Sequence, residues 1–350
     1  MSEKAIIAMS GGVDSSVAAA LMLERGFKCV GITLKLYNGE SRCCSFADVN
    51  DARNAAFSLG MDHYVLNFTE EFDKQVIRHF IETYEQGATP NPCIECNRSI
   101  KFNLLLLRAL QLDFDILVTG HYARVTQDTA SGRYLLQKAL DEKKDQSYVL
   151  YCLTQQQLQR ARFPLGELTK NEVRRIAAEK KLGNAAKSES QDICFVPDGN
   201  YGDFIERYTG KKYPHGNIID LGGKTIGSHS GIIRYTIGQR RGLGVAANVP
   251  VYVTAKSAAD NTVTLGTDDA LFSKSLTANN INLIACADLK KPMRVMVKTR
   301  YLQTAQGAVA EQTGEDTLHI EFDNPQRAIT PGQAAVMYDG DIVVGGGTIA

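Results

Sequence analysis

Two sets of side chains in this chain have the types and spacing to do chemistry. The first is Ser10-Gly11-Gly12-Val13-Asp14-Ser15, close to the start of the sequence. Adjacent glycines let the backbone take positive φ and turn successive N–H groups around an anion. A helix starting at the serines adds unpaired N–H groups and the positive end of its dipole. The pattern predicts a phosphate cradle, and with it nucleotide chemistry; the plainer alternative is a serine-capped helix start. A Walker loop would need G-x-x-x-x-G-K-[ST], but no lysine follows these glycines. Asp14 stands where loop meets helix. A carboxylate there repels phosphate unless a cation lies between them, which points to bound magnesium.

The second set is the cysteines. Cys93 and Cys96 form a C-x-x-C within Thr89-Pro90-Asn91-Pro92-Cys93-Ile94-Glu95-Cys96-Asn97. The two prolines predict an extended loop, outside any helix until about Ser99. Structural zinc would want two further ligands at similar spacing, and no second C-x-x-C or H-x-x-x-H is present. A thioredoxin-like pair would occupy the helix start after the first strand, where the glycine loop already sits. Cys194, in Ser190-Gln191-Asp192-Ile193-Cys194-Phe195, has the polar-then-apolar flank of a segment bordering a pocket. Cys43 and Cys44 are adjacent and read as non-functional. Cys29, Cys152 and Cys286 lie in apolar patterns and read as core.

The elements that must position these residues alternate. Strands are expected at Lys4–Met9, Lys28–Lys35, His63–Asn67 and Asp115–Thr119, and helices at Ser15–Arg25, Phe46–Leu59, Glu70–Tyr84 and Ile100–Leu112. Such alternation implies a doubly wound parallel α/β sheet, whose ligands bind beyond the carboxyl ends of the strands. Near Asp198-Gly199-Asn200 the character changes. A short helix, Tyr201–Tyr208, precedes a hairpin, Gly216–Leu221 and Lys224–Gly227, and then the loop Tyr235-Thr236-Ile237-Gly238-Gln239-Arg240-Arg241-Gly242-Leu243-Gly244. Six short strands follow: Ala278–Ile284, Met293–Thr299, Gln306–Gln312, Thr317–Phe322, Gln333–Tyr338 and Ile342–Thr348. They suggest a small β-barrel or sandwich. In the second of them Arg294, Lys298 and Arg300 share one face, with Tyr301 beyond. That face is either an RNA contact or a solvated surface.

A length of 350 residues allows two or three domains. The formal net charge of zero argues against a generally basic nucleic-acid coat, though not against a local groove. No apolar stretch approaches a membrane span, and Met1-Ser2-Glu3-Lys4 runs straight into a strand, leaving no room for a signal peptide. A cytoplasmic protein is expected, with its eight cysteines as thiols, metal ligands or redox centres.

An ordered set of motifs runs through the chain. It comprises Ala8–Ser16, Thr89-Pro90-Asn91-Pro92, Cys96-Asn97, Ile100-Lys101-Phe102, Thr119-Gly120-His121-Tyr122 and Lys144-Asp145-Gln146-Ser147-Tyr148. It continues with Asp192-Ile193-Cys194-Phe195, Gly238–Gly244, Lys298-Thr299-Arg300-Tyr301 and Thr330-Pro331-Gly332-Gln333. The glycine loop alone would suit any PP-loop ATP pyrophosphatase; the whole set resembles the tRNA-specific 2-thiouridylases over nearly the full length.

The resemblance implies a PP-loop sheet of the adenine nucleotide alpha-hydrolase type as an ATP-binding catalytic domain (1–198). A small central mixed domain (199–272) and a C-terminal β-barrel (273–350), both tRNA-contacting, would follow. The implied reaction adenylates the C2 oxygen of the wobble uridine in the tRNAs for lysine, glutamate and glutamine, expelling pyrophosphate, and sulfur then displaces AMP. Ala8, Met9, Ser10, Gly11, Gly12, Val13, Asp14 and Ser15 would bind ATP with magnesium, Leu34 and Gly120 lying beside adenine and ribose. Cys96 matches the nucleophile and Cys194 the persulfide carrier. Asn91, Pro92 and Cys93 would border the flipped base. His121, Lys144, Asp145, Gln146, Arg300, Tyr301 and Gln333 match tRNA contacts.

One departure bears on the mechanism. Many members carry aspartate where this chain has Cys93. Cys93, Cys96 and Cys194 together would suit a [4Fe-4S] cluster with one open iron position, so persulfide and cluster both stand as sulfur carriers. The donor would be a cysteine desulfurase, a relay protein or sulfide. A PP-loop small-molecule ligase or synthetase is the rival reading; it would need neither the cysteines nor the β-rich tail.

Overall fold

The computed structural model describes residues 3–39, 45–185, 187 and 193–350. Cys43, Cys44 and Asp192 lie outside the described residues. Five parallel strands form the first sheet. Their spatial order is His63–Asn67, Lys28–Lys35, Lys4–Ala8, Ile116–Val118 and Ala161–Arg162. Four match expectation; the fifth, only two residues long, gave no sequence signal.

Alternation of side chains along Lys4–Ala8 sends Ile6 to one core and Ala5 and Ile7 to the other. Both faces are therefore covered, which is why this strand reads as an unbroken apolar run. One face receives the helices Val13–Glu24, Phe46–Ser58 and Lys170–Glu179 through Val17, Ala18, Ala52, Ala55, Val173 and Ala177. The other receives Phe72, Val76, Phe80, Ile100, Phe102 and Leu105. Each fully buried Ile or Phe contributes about 1.5–3 kcal/mol.

Two helical expectations are corrected. The helix expected at Ile100–Leu112 starts eight residues earlier: α-helical Pro92–Glu95, then a π-wound stretch Cys96–Leu105, then α-helical Leu106–Gln111. Proline is tolerated at the first helical position, where its missing N–H costs nothing. Asn91 caps this end, its side chain accepting from the N–H groups of Cys93 and Ile94. The segment holding both cysteines is thus helical, not extended. The helix expected at Glu70–Tyr84 likewise contains a π-wound turn, Asp73–Ile77, between Thr69–Phe72 and Arg78–Glu85.

After Tyr201–Thr209, a four-stranded sheet runs in the order Tyr252–Ser257, Thr262–Gly266, Gly216–Ile219, Thr225–His229. All six C-terminal strands are present and antiparallel. They close because Phe272–Leu283 pairs with both Thr317–Arg327 and Ile342–Ile349. Closure leaves no open edge. The interior is filled by Val295, Val297, Ala308, Leu318, Ile320, Phe322 and Met337.

The outward-facing Ala334, Val336 and Tyr338 of the strand Ala334–Asp339 join the core of the first sheet. Tyr148 donates its hydroxyl to the Ala334 carbonyl at 2.9 Å. An unforeseen hairpin, Arg124–Gln127 with Tyr134–Gln137, extends the barrel wall by pairing Gln137 with Ile342. Barrel and parallel sheet therefore share apolar packing and hydrogen bonds. Among the described residues, no helix is long and apolar enough to cross a membrane.

Candidate active site

A cavity of about 240 Å³ opens at the carboxyl ends of the parallel strands, where the sheet order reverses beside Lys4–Ala8. Its lining includes Ala8, Met9, Ser10, Asp14, Ser15, Leu34 and Gly120. The expected residues Gly11, Gly12 and Val13 lie in the same loop but do not line it.

The loop is open at its helix start. The N-cap is Gly12 and no side chain caps it, so first-turn N–H groups remain available to an anion. The plainer alternative of a serine-capped helix start is not what forms: the N-cap is Gly12, and Ser15 and Ser16 donate their hydroxyls to its carbonyl. Gly11 sits at φ +75°, and a Cβ there would collide with the Asp48 carbonyl. A Cβ on Gly120 would lie 2.7 Å from the Ser15 nitrogen, so the strand end and the loop helix close to a distance that only glycine permits. Asn184 braces the loop, donating Nδ2 to the Gly11 carbonyl (3.0 Å) and to Ser16 Oγ (2.9 Å).

Asp14 carries the first finding that sequence reasoning missed. Lys170 donates Nζ to its Oδ1 (2.7 Å) and Oδ2 (2.9 Å), and the Tyr122 hydroxyl donates to Oδ1 at 2.8 Å. The lysine absent from the loop thus arrives from the first turn of the helix Lys170–Glu179, where it is only 7% exposed. Asp14 has a protein cation of its own. Magnesium still fits here in its usual manner, held mainly by phosphate oxygens with one carboxylate; among the described residues lining the cavity, Asp14 is that carboxylate. No pattern local to the glycine loop could have revealed a lysine 156 positions away.

Lys101 is the second missed residue. It lines the cavity from the cysteine helix. Burial, and after it the Lys101 charge, holds the His121 imidazole well below its ordinary range. His121, in the cavity wall, shares a 2.7 Å hydrogen bond between its Nδ1 and Thr119 Oγ1. Cys93 reaches the surface, yet protein crowds around its thiol and pushes it up, partly offset by the same Lys101. Lys101 is therefore the charge shared by the nucleotide cavity and the cysteine segment.

Cys93 is exposed, whereas Cys96, in the next helical turn, is 9% exposed and part of the core. Cys194 is half-buried and packs against that same core. None of the three lines the cavity. Among the described residues, no group of three His, Cys, Asp or Glu side chains could hold a metal ion. The expected convergence of Cys93, Cys96 and Cys194 on an iron–sulfur cluster is not assembled, because Cys96 turns inward and Cys93 outward. Burial raises Cys29 to about 11 and Cys152 to about 12, which makes them poor nucleophiles. Cys152 is a core residue as expected, while Cys29 and Cys286 are half-buried.

The expected tRNA contacts are held in several ways. His121 and Gln146 line the cavity. Gln146 accepts the Tyr122 N–H through Oε1. Asp145 is 7% exposed, and its oxygens accept from the N–H groups of Ala139 and Ser147 and from the Ser147 hydroxyl. Pro92 is buried under the Asn91 cap. The Lys144 N–H donates to the Asp141 carbonyl.

The cationic strand face is reduced. Arg294 forms an exposed pair with Asp323, and Lys298 lies over the Tyr338 ring. Arg300, beyond the strand end, turns to donate to the Ala328 carbonyl and Thr330 Oγ1. Tyr301 packs near Tyr148, ring centroids 6.0 Å apart. Gln333 donates to the carbonyls of Thr89 (2.9 Å) and Pro90 (3.1 Å).

Comparison with known proteins decides the family. Residues 3–198 match the tRNA methyl transferase HUP domain, 202–267 its PRC-barrel domain, and 273–349 the aminomethyltransferase beta-barrel domain. The chain is 47% identical over 355 residues to the tRNA-specific 2-thiouridylase MnmA of Acetivibrio thermocellus, covering 99% of both chains. This chain belongs to the tRNA-specific 2-thiouridylase family. The 2-thiouridylase of Clostridioides difficile is 46% identical, covering 100% of this chain and 98% of that one. A solved 4-thiouridine synthetase–RNA complex with bound ATP shares 21% identity at a TM-score of 0.38, covering 55% of this chain and 44% of that one. Within the 2-thiouridylase frame, the parallel sheet is the PP-loop part of the fold.

Proposed function

We propose that this chain is an ATP-dependent tRNA uridine 2-sulfurtransferase that thiolates the wobble uridine of the tRNAs for lysine, glutamate and glutamine. The observation that carries the reading is an uncapped, glycine-built anion loop whose cavity is shared, through Lys101, with the helix holding Cys93 and Cys96. A ligase would have no use for that second element.

The residues divide the work. First-turn N–H groups after Gly12 hold the terminal phosphates. Asp14, oriented by Lys170 and Tyr122, stands where magnesium would be held; that ion, when bound, neutralises phosphate charge. Leu34 and Gly120 flank adenine and ribose. The uridine C2 oxygen attacks the α-phosphate and pyrophosphate departs, so that a poor leaving group becomes AMP. The terminal sulfur of a persulfide on Cys194 or Cys96 then attacks C2 and AMP leaves; the other of these two thiolates attacks the sulfur still bound to the protein, so that the S–S bond breaks, the 2-thiouridine is released and a Cys96–Cys194 disulfide forms, which an external thiol reduces. His121, uncharged at neutral pH, can accept a hydrogen bond from base or ribose. Residues 199–272 and 273–350 supply further tRNA surface, and the reaction takes place in the cytoplasm with a persulfide donor protein, or with sulfide as the direct nucleophile at C2.

Thiolation of tRNA transcripts with ATP and a persulfide donor, run with Cys96→Ser beside the parent, tests the proposal. Loss of sulfur transfer with retained tRNA-dependent pyrophosphate release, the tRNA remaining adenylated, is expected. Undiminished thiolation by Cys96→Ser, or none by the parent protein with any of the three tRNAs, would overturn it. Full activity in anaerobically purified, iron-free protein is expected from the arrangement of the thiols.

A further inference from the structure

The turn Thr330-Pro331-Gly332-Gln333 of the barrel lies directly on the segment that leads into the cysteine helix. The Thr89 N–H donates to the Pro331 carbonyl at 2.8 Å. In the reverse direction, Gln333 Nε2 donates to the carbonyls of Thr89 (2.9 Å) and Pro90 (3.1 Å). Gly332 takes φ +86°, and a Cβ there would lie 2.9–3.1 Å from three backbone atoms of Thr89. The turn is itself fixed: the Gln333 N–H donates to the Thr330 carbonyl, the Gln333 carbonyl accepts from Ile349, and Thr330 Oγ1 accepts from Arg300.

Pro90 and Pro92 have no N–H to give, so this stretch has little means of securing itself. Its carbonyls are instead met from a domain more than 240 positions away. Asn91, next in sequence, caps the helix that bears Cys93 and Cys96.

We propose that Gln333 is a positioning residue, whose amide clamps Thr89-Pro90 so that the Asn91-capped helix presents its cysteines in register with the cavity. This rests on the thiolation reading and assigns Gln333 a role within the protein in addition to the tRNA contact that the resemblance implies. A side-chain amide has two N–H bonds on one nitrogen, which allows the two carbonyls to be met at once. Glutamate keeps the shape but replaces the donor with an acceptor facing two carbonyl oxygens.

Gln333→Glu and Gln333→Ala are compared with the parent protein by steady-state thiolation and by amide hydrogen exchange without tRNA. A misplacement of the sulfur-bearing segment lowers kcat by about 10–100-fold, with KM for tRNA changed less than about twofold. Exchange in residues 93–97 quickens about tenfold, and alkylation of the exposed Cys93 changes rate, while exchange in the barrel strands stays as it was. Gly332→Ala, which keeps the amide but pushes the turn off Thr89, moves kcat in the same direction and stands in should a Gln333 variant fail to fold. A raised KM for tRNA with kcat and exchange unchanged would overturn the proposal and leave Gln333 an RNA contact only. Exchange and alkylation need neither tRNA nor sulfur, so they judge the clamp even if the parent protein proves not to thiolate.

Discussion

The phosphate loop and the cysteine helix meet at one cavity, yet they are held by opposite means. The loop's anion-binding backbone is built from its own neighbourhood (the preceding buried strand, two glycines and serines that bond back to Gly12), and only the braces Asn184, Lys170 and Tyr122 come from afar. The cysteine helix is held from afar. Asn97 donates Nδ2 to the Val149 carbonyl at 3.0 Å, the Cys152 thiol donates to the Ile94 carbonyl, and Gln333 reaches Thr89 and Pro90 from the barrel. An anion site can be made from backbone N–H groups at one helix end. The cysteine helix has no such self-contained support, and its partners come from residues 149–152 of the same domain and from the barrel.

Substitutions that separate the two regions test this contrast. Cys96→Ser has the largest expected effect: thiolation falls by about 10³-fold or more, since the covalent route is removed, while tRNA-dependent pyrophosphate release persists. A parallel loss of pyrophosphate release would mean that the regions are not separable. Lys170→Met comes next. It leaves Asp14 beside the phosphates without its cation, and loss of one preorganised charge is expected to slow adenylation about 10²–10³-fold. Sulfur loading of the cysteines, followed by mass spectrometry, should be unaltered; impaired loading would argue that Lys170 supports both regions.

Asn97→Ala strikes the other side. It strands the Val149 carbonyl in a buried place, and urea unfolding should show a loss of about 1–3 kcal/mol, with nucleotide affinity unchanged. The smallest effect concerns pH. His121 is held low by burial and Lys101, so above about pH 6.5 it is neutral in both folded and unfolded chains. Below that value the unfolded chain binds a proton that the folded site refuses, and stability falls as pH drops towards the folded-state pKa. His121→Gln should flatten that fall, as followed by thermal unfolding between pH 5 and 7. An unchanged pH profile would mean that burial and Lys101 do not hold His121 low.

Legibility in the sequence followed the same division. Strand positions, the glycine loop and the six barrel strands could be read from alternation and turn residues, because those signals lie within a few positions of one another. The helical start at Pro92 was misread: prolines argue for extended chain, but Asn91 as cap and proline at the first helical position reverse the argument. Asp145, matched to RNA by the resemblance, also accepts from Ala139 and Ser147 through its carboxylate, bonds that no local pattern announced. Arg300 shares its strand's parity with Arg294, but beyond the strand end it turns to Ala328 and Thr330. Parity says which side a residue leaves from, not which partner lies within reach.

By itself, the sequence determined the anion loop, the parallel sheet that carries it, the barrel and the family, because each is written in short-range spacing or in an ordered set of motifs. Tertiary structure alone decided that Lys170 is the loop's cation, that Lys101 joins cavity to cysteines, that Cys96 faces inward while Cys93 faces out, and that Gln333 grips Thr89-Pro90. These are contacts between side chains separated by many residues. Their partners are set by how packed layers bring distant segments to hydrogen-bonding distance, and no local pattern encodes that distance.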